Sequence, residues 1–280
     1  MFRPDESKCL TPRQQSEINY HVHHAARLAQ ETQPESDEVI EHPTRKWWNH
    51  YWAAYSILSA ADVRGKSLLV PGCGSGIDAI RCAKMGASVT AFDLSQEMLD
   101  LARMNAARAR VPVEFLRMPA EQLEFPDDTF DVIFVHDLLH HCDIKLCLSE
   151  LARVAKPGAF ALFDELYTHR MLQALRNSAL GRSLYLKLAP YIYHHSVPYI
   201  TPDERKLDET ELDLVRTRLV NARCKYFYIV VNRVVSDADA LEIADRILTQ
   251  ALGTFGRFLA GRVLLTGSFG RRQGPESIRQ

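Results

Sequence analysis

A strand that runs into a glycine-rich turn and then straight into a helix leaves a chain few folds to adopt. Ser67–Val70 (SLLV) is a short, continuous apolar run, the pattern of a strand buried on both faces. It passes through Pro71 into Gly72-Cys73-Gly74-Ser75-Gly76, after which a helix is expected from Ile77 to about Lys84. Gly86 ends that helix, and Ser88–Phe92 forms a second strand closing on Asp93. Ser95 is a good N-cap for a helix running to about Arg108. Strands follow at Val113–Leu116, Phe130–Val135 and Ala159–Phe163. An amphipathic helix, Leu146–Val154, precedes the last of these and is stopped by Lys156-Pro157-Gly158. Alternation of this kind from Lys66 to Tyr167 specifies βα units, a parallel sheet and the α/β class. Tyr226–Val234 and Arg262–Thr266 supply two further strands, with a helix from about Ser236 to Leu259 between them.

The turn and the acid after it constrain the ligand. Glycines let a ligand approach bare backbone, and the helix N-terminus offers free N–H groups to an anion or a carboxylate. A dinucleotide fingerprint needs its third glycine where Ile77 stands, so NAD is disfavoured. A phosphate loop ends in Gly-Lys-Ser/Thr, and Gly76-Ile77-Asp78 is not that. Asp93, at the carboxyl end of the second strand, has two acceptor oxygens in one plane for the hydroxyls of a ribose. An adenosyl group without a pyrophosphate is implied, and S-adenosylmethionine fits that description.

Residues 66–165 resemble the core of the class I S-adenosylmethionine-dependent methyltransferases, of the small-molecule type that includes the ubiquinone and menaquinone methyltransferases. The resemblance is carried by LLVPGCGSG, VTAFDLSQEMLDLAR, AEQLEFPDDTFDVIFVHDLLHH and LARVAKPGAFALFDE, in the family's order and spacing. It implies a Rossmann-like, seven-stranded methyltransferase sheet with antiparallel final strands, flanked by N-terminal helices and a helical cap. It also implies that Gly72, Cys73, Gly74 and Gly76 border the methionine part of the cofactor and that Asp93 holds the ribose. Leu94 and Met98 would pack on the adenine, Ala120 and Glu121 would lie at its edge, and His136 would close the pocket below the sulfonium. Two positions depart from the family pattern. The acid expected two residues before the first glycine is Val70, followed by Pro71, and an aspartate expected ahead of the Ala-Glu pair is Pro119. The cofactor's amino group thus loses its usual partner, and Asp137 is the candidate replacement.

Methyl transfer from a sulfonium is an in-line displacement in which the protein mainly aligns the partners and excludes water. A base is needed only where the acceptor must shed a proton, and histidine suits that task near neutral pH. His136, His140 and His141 lie at the carboxyl end of the fourth strand, where open α/β sheets bind ligands. By resemblance to the phosphobase methyltransferases, His141 pairs with Tyr20 as the base. The alternative is that His141, like His140, only starts a helix and hydrogen-bonds backbone. No carboxylate or cysteine is spaced to complete a metal site with His21, His23 and His24 or with His194 and His195, so no metal is expected.

The flanks bear on the acceptor. Trp48, Trp52 and Tyr55 recur at helical spacing, beside Tyr51, and either pack on the sheet or wall the acceptor site. A helical cap over that site, carrying Arg170, Arg176, Arg182 and Lys187, would suit an anionic acceptor or is simply solvated. The expected organisation is an N-terminal helical and aromatic lid over 1–65, a cofactor-binding core over 66–165, a cap over 166–222, final strands and helix over 223–270, and a tail over 271–280. Thirty-four basic against 35 acidic residues argues against a nucleic-acid partner, and no apolar run suffices for membrane insertion. Six scattered cysteines without a CxxC pair fit a reducing, cytoplasmic setting. The expected activity is methyl transfer to a small molecule: a secondary metabolite, a quinone-like aromatic or a lipid precursor. Val70 and Pro71 keep a second reading open, a scaffold without turnover or an enzyme using the sulfonium for other chemistry. The sequence leaves the oligomeric state and the methylated element open.

Overall fold

The glycine turn of Gly72–Gly76 joins the first strand and helix of a seven-stranded sheet in a computed structural model describing residues 11–16, 18, 36–179, 206–228 and 239–270. The strands are β1 (Ser67–Pro71), β2 (Ser88–Asp93), β3 (Glu114–Arg117), β4 (Phe130–His136), β5 (Ala155–Leu166), β6 (Leu219–Phe227) and β7 (Arg262–Phe269). Their order across the sheet is β3-β2-β1-β4-β5-β7-β6. The first five run parallel, and β7 lies antiparallel between β5 and β6. Besides a single turn of helix at Glu38–Glu41, the longer helices are α1 (His50–Ala60), α2 (Ile77–Lys84), α3 (Gln96–Ala109), α4 (Ile144–Val154), α5 (Arg170–Asn177), α6 (Glu209–Thr217) and α7 (Asp239–Ala251).

Strand side chains alternate between two apolar layers, as a period of two requires. Leu68, Val70, Val132 and Phe134 face α1, α2 and α3 through Tyr55, Leu58, Ala79 and Leu99. Leu69, Ile133 and Val135 face the opposite layer, with Leu148 and Leu151 of α4 and Leu212 of α6. Leu69, Ile133 and Phe134 are fully buried, so truncating any of them to Ala costs about 2–5 kcal/mol. Val70, where the family pattern has an acid, is one of these packed residues.

Four expectations need correction. The sixth strand is Leu219–Phe227, upstream of Tyr226–Val234, and residues 229–234 lie outside the described ones. Its side chains alternate between exposed and half-buried because it is the sheet's edge, so it lacks the apolar run of a central strand. The helix expected over Ser236–Leu259 is α7 followed by a separate 3₁₀ turn, Gly253–Phe258, begun by Gly253 at φ 50°. The Pro157-Gly158 pair does not separate α4 from β5. The strand begins at Ala155, which pairs with Phe130 across a bulge. On the aromatic face, Asn49 caps α1 by accepting from the Tyr51 and Trp52 amides, so Trp48 precedes the helix and does not share its face.

Candidate functional site

Two concavities mark opposite edges of the sheet. The larger, about 510 Å³, is lined by Ser149, Arg153, Arg218 and Phe269 at the amino edge of the parallel strands. The smaller, about 120 Å³, sits at the carboxyl edge, where open α/β sheets take their ligands. It gathers eight residues singled out from sequence, namely Gly72, Gly74, Asp93, Leu94, Ala120, Glu121, Asp137 and His141. Gln14, Ile18, Phe92, Ser95, Met118, Leu138 and Cys142 complete its wall.

Asp93 is organised before any ligand arrives. One carboxylate oxygen accepts the Gly74 N–H at 2.8 Å and the other accepts the Ser95 N–H at 2.9 Å. Each oxygen retains a lone pair, and the two bonds fix the plane of the carboxylate across the turn. A Cβ on Gly72 would stand 2.8 Å from Leu138 Cδ1, and one on Gly74 would meet only Met98 Cε at 3.5 Å. Both glycines have positive φ. Gly76 differs: a Cβ there would strike Ala102 Cβ at 2.8 Å and its Cα at 3.1 Å, so this glycine lets α2 approach α3. Gly76, Cys73 and Met98 are buried behind the cavity wall rather than lining it. Burial, with Asp93 nearby, pushes the Cys73 thiol well above its ordinary range, which suits a filler and not a nucleophile.

The loop after β4 carries the remaining candidates. Asp137 adopts φ 51°, a left-handed conformation unusual for a side chain. Its Oδ2 takes Arg262 Nη2 at 2.7 Å, while Oδ1 is buried with no hydrogen-bond partner. A lone carboxylate oxygen in the wall of this cavity suits an ammonium group. His140 is buried, its Nδ1 3.0 Å from Glu165 Oε2, while Glu165 Oε1 accepts the Leu138 and Leu139 amides. His140 therefore braces the turn Leu139–His141 from inside. Among the described residues, Asp137, His140 and Glu165 bring three donor atoms within 4.8 Å of one another. For His140 and Glu165 the hydrogen bonds just given occupy those atoms. His141 lines the cavity with its ring 4.1 Å from that of His140. Tyr20, its expected partner, lies outside the described residues, as do Arg182, Lys187 and the histidines at 21, 23, 24, 194 and 195. Glu121 is tied at both oxygens, to the Asp143 N–H at 3.0 Å and to Gln14 Nε2 at 3.2 Å. Arg13 donates to the carbonyls of His140 and Cys142, which lays the N-terminal segment over this wall.

His136 is placed apart from the cavity, in a buried ionic network that the sequence reading missed. Its Nδ1 is 2.7 Å from Asp78 Oδ2, and its Nε2 is 3.4 Å from Asp137 Oδ2 and 3.8 Å from Asp164 Oδ2. Burial alone would lower its pKa, but Asp78, Asp164 and Asp137 more than offset that and push it up to about 9. Asp78 also accepts from the hydroxyls of Tyr51 and Tyr55, and Arg81 donates to Tyr51. Asp164 is fully buried; although burial opposes its charge, Arg262 and His50 hold it well below the usual carboxylate range. Burial, then Asp78, raises both phenols well above their ordinary range. Of the aromatic acceptor candidates, Tyr51 is thus part of this network and Trp52 packs on the core. Trp48 Nε1 is buried without a partner, and Arg170 is exposed, with its N–H on Glu209. One signal was available for Asp164: like Asp93, it is an acid at the carboxyl end of a parallel strand.

Comparison with known proteins settles the family. A family model described as a methyltransferase domain matches residues 69–163. The ubiquinone biosynthesis O-methyltransferase of Aliivibrio fischeri is 30% identical over 195 residues, covering 64% of this chain and 82% of that protein. The chain belongs to the class I S-adenosylmethionine-dependent methyltransferases. Its cofactor is S-adenosylmethionine, and the scaffold reading is not favoured. Two solved structures show the same fold. The cyclase SpnF superposes on the methyltransferase with a TM-score of 0.54 at 18% identity, covering 93% of this chain and 96% of its own. A phosphoethanolamine N-methyltransferase 2 of Haemonchus contortus, in complex with S-adenosyl-L-methionine, gives 0.52 at 15% identity, covering 79% of this chain and 52% of its own. Among the described residues no helix of the methyltransferase is long and apolar enough to cross a membrane.

Proposed function

We propose that this methyltransferase transfers its methyl group to a hydroxyl oxygen on a small aromatic molecule. The observation that carries the reading is the 82% coverage, at 30% identity, of a relative named as an O-methyltransferase of ubiquinone biosynthesis. The rings of Tyr51, His50, Phe227 and Tyr228 form an aromatic cluster at the carboxyl edge, with Phe227 and Tyr228 buried in it.

When bound, the cofactor supplies a methyl group already activated on a sulfonium. Asp93 receives the ribose hydroxyls on its free lone pairs, and Gly72 and Gly74 admit the methionine backbone. Leu94, Ala120 and Glu121 border the adenine. The unpartnered Oδ1 of Asp137 takes the ammonium in place of the acid missing at Val70. The scattered cysteines, with no CxxC pair in the sequence, support a reducing, cytoplasmic setting.

The test is a product analysis. The protein is incubated with S-adenosylmethionine and a panel of catechols, simple amines and phosphoethanolamine, then followed by mass spectrometry. Gain of one methyl on a catechol oxygen, with release of S-adenosylhomocysteine, is the expected result. Methylation of only the amines would overturn the acceptor class while leaving the family intact.

A further inference from the structure

One imidazole at the carboxyl edge, that of His50, is anchored through a single ring nitrogen. His50 opens α1, and its Nδ1 lies 2.7 Å from Asp164 Oδ2. Arg262 Nε donates to the other oxygen of Asp164 at 2.8 Å. A carboxylate held in this way accepts, so the shared proton sits on His50 Nδ1 and Nε2 presents a lone pair. A buried aspartate orients a histidine base by the same geometry in acyl-transfer triads.

The surroundings suit the task. His50 keeps 15% of its side chain exposed, while Asp164, which orients it, has none. The rings of Tyr228, Tyr51, Phe227 and His136 stand 5.3, 6.3, 6.4 and 6.4 Å from it. Arg262 joins Asp164 to Asp137, and Asp137 lines the cofactor cavity beside Gly72. The dyad is thus linked to the cavity wall through Arg262 and Asp137.

We infer that His50, oriented by Asp164 and Arg262, takes the proton of the acceptor hydroxyl during methyl transfer. The inference rests on the O-methyl reading. In the step, the acceptor O–H bond breaks and its proton passes to His50 Nε2. The oxygen's electron pair forms the new bond to the methyl carbon, and the electron pair of the C–S bond leaves on sulfur as S-adenosylhomocysteine. The groups facing His50 are Asp164, Arg262, His136, Tyr51 and Tyr228. Burial and the Arg262 cation keep its imidazole below the ordinary value against the pull of Asp164, so the free base predominates at neutral pH. The network does not need a cation from His50. Asp137 and Asp164 already face Arg262, Asp78 faces His136, and Arg81 reaches Asp78 through the Tyr51 hydroxyl.

The test compares wild type with His50→Gln on two probes, catechol and the more acidic 4-nitrocatechol, across pH. Wild-type kcat/KM on catechol falls on the acid side. His50→Gln lowers it by about 10²-fold or more, loses that acid limb, and leaves the KM for S-adenosylmethionine unchanged. On 4-nitrocatechol at a pH where it is ionised, the loss shrinks to within several-fold, because no proton remains to be taken. Asp164→Asn, checked for folding by thermal melting, reproduces the acceptor-dependent loss as expected of a positioning residue. An equal loss on both probes makes His50 structural and overturns the inference. So does an acceptor-dependent loss found in His141→Ala and not in His50→Gln. Failure of the wild type on both phenols, with S-adenosylhomocysteine still bound, overturns the acceptor class instead.

Discussion

Replacing Asp93 with Asn tests the turn and the ribose assignment in one variant. The carboxylate holds the Gly74 and Ser95 amides at 2.8 and 2.9 Å. Asn keeps one acceptor oxygen, and its NH₂ must face the other backbone N–H. The variant loses one charge-assisted hydrogen bond, worth about 1.5–3 kcal/mol, and leaves a buried donor unsatisfied. With partial relaxation of the turn, stability falls by roughly 2–4 kcal/mol. At about 2–4 °C per kcal/mol, Tm drops by roughly 5–15 °C. Ribose binding loses one acceptor as well, so affinity for S-adenosylhomocysteine falls about 10- to 100-fold, equivalent to roughly 1.4–2.8 kcal/mol. Differential scanning fluorimetry reads the first effect, and isothermal titration well below the new Tm reads the second. A lowered Tm with an unchanged Kd would refute the ribose assignment and leave Asp93 as a fastener of the turn alone.

Three further outcomes follow from other positions. Asp137→Asn weakens S-adenosylhomocysteine by about tenfold but leaves 5′-methylthioadenosine, which has no amino group, unchanged; equal losses on the two ligands in titration refute the ammonium role. Gly76→Ala, with its Cβ 2.8 Å from Ala102 Cβ at φ 82°, destabilises the fold by about 2–4 kcal/mol in urea unfolding, with cofactor affinity retained. For His136, whose folded pKa is raised to about 9, the stabilisation is fully present below the unfolded value near 6.5 and is lost as pH rises through 9. Tm should therefore decline across that window, and His136→Gln should remove this part of the slope.

Local sequence revealed the strands that local chemistry dictates. β1, β2 and β4 are apolar runs closed by a glycine turn or an acid, and each was located to within a residue at its carboxyl end. The edge strand β6 was misplaced because half of its surface faces water, so Leu219–Phe227 carries no continuous apolar signal while the nearby run to Val234 does. Eight cavity residues were readable from the glycines, the strand-end acid and the motif after β4. The ionic network was not readable, because it is assembled from distant segments. His50 and Asp164 are 114 positions apart, and Arg262 and Asp164 are 98 apart. A histidine in the HDLLHH motif reads as a site residue whether it faces the ligand or an aspartate behind it, and His136 faces the aspartate.

The balance of charges beneath the carboxyl edge also bears on how such a pocket diverges. Removing Arg262 alone takes the guanidinium from two buried carboxylates, Asp164 and Asp137, and breaking a buried pair in this way typically costs about 3–5 kcal/mol. Replacing both ends of the pair with apolar residues of similar volume is often close to neutral. Lineages that change acceptor should therefore exchange the ends of β5 and β7 together, although one strand follows the other only after almost a hundred residues of chain. Recombination that swaps the C-terminal third between relatives would separate those partners. Chimeras joined between Leu166 and Arg262 should therefore fold less often than either parent.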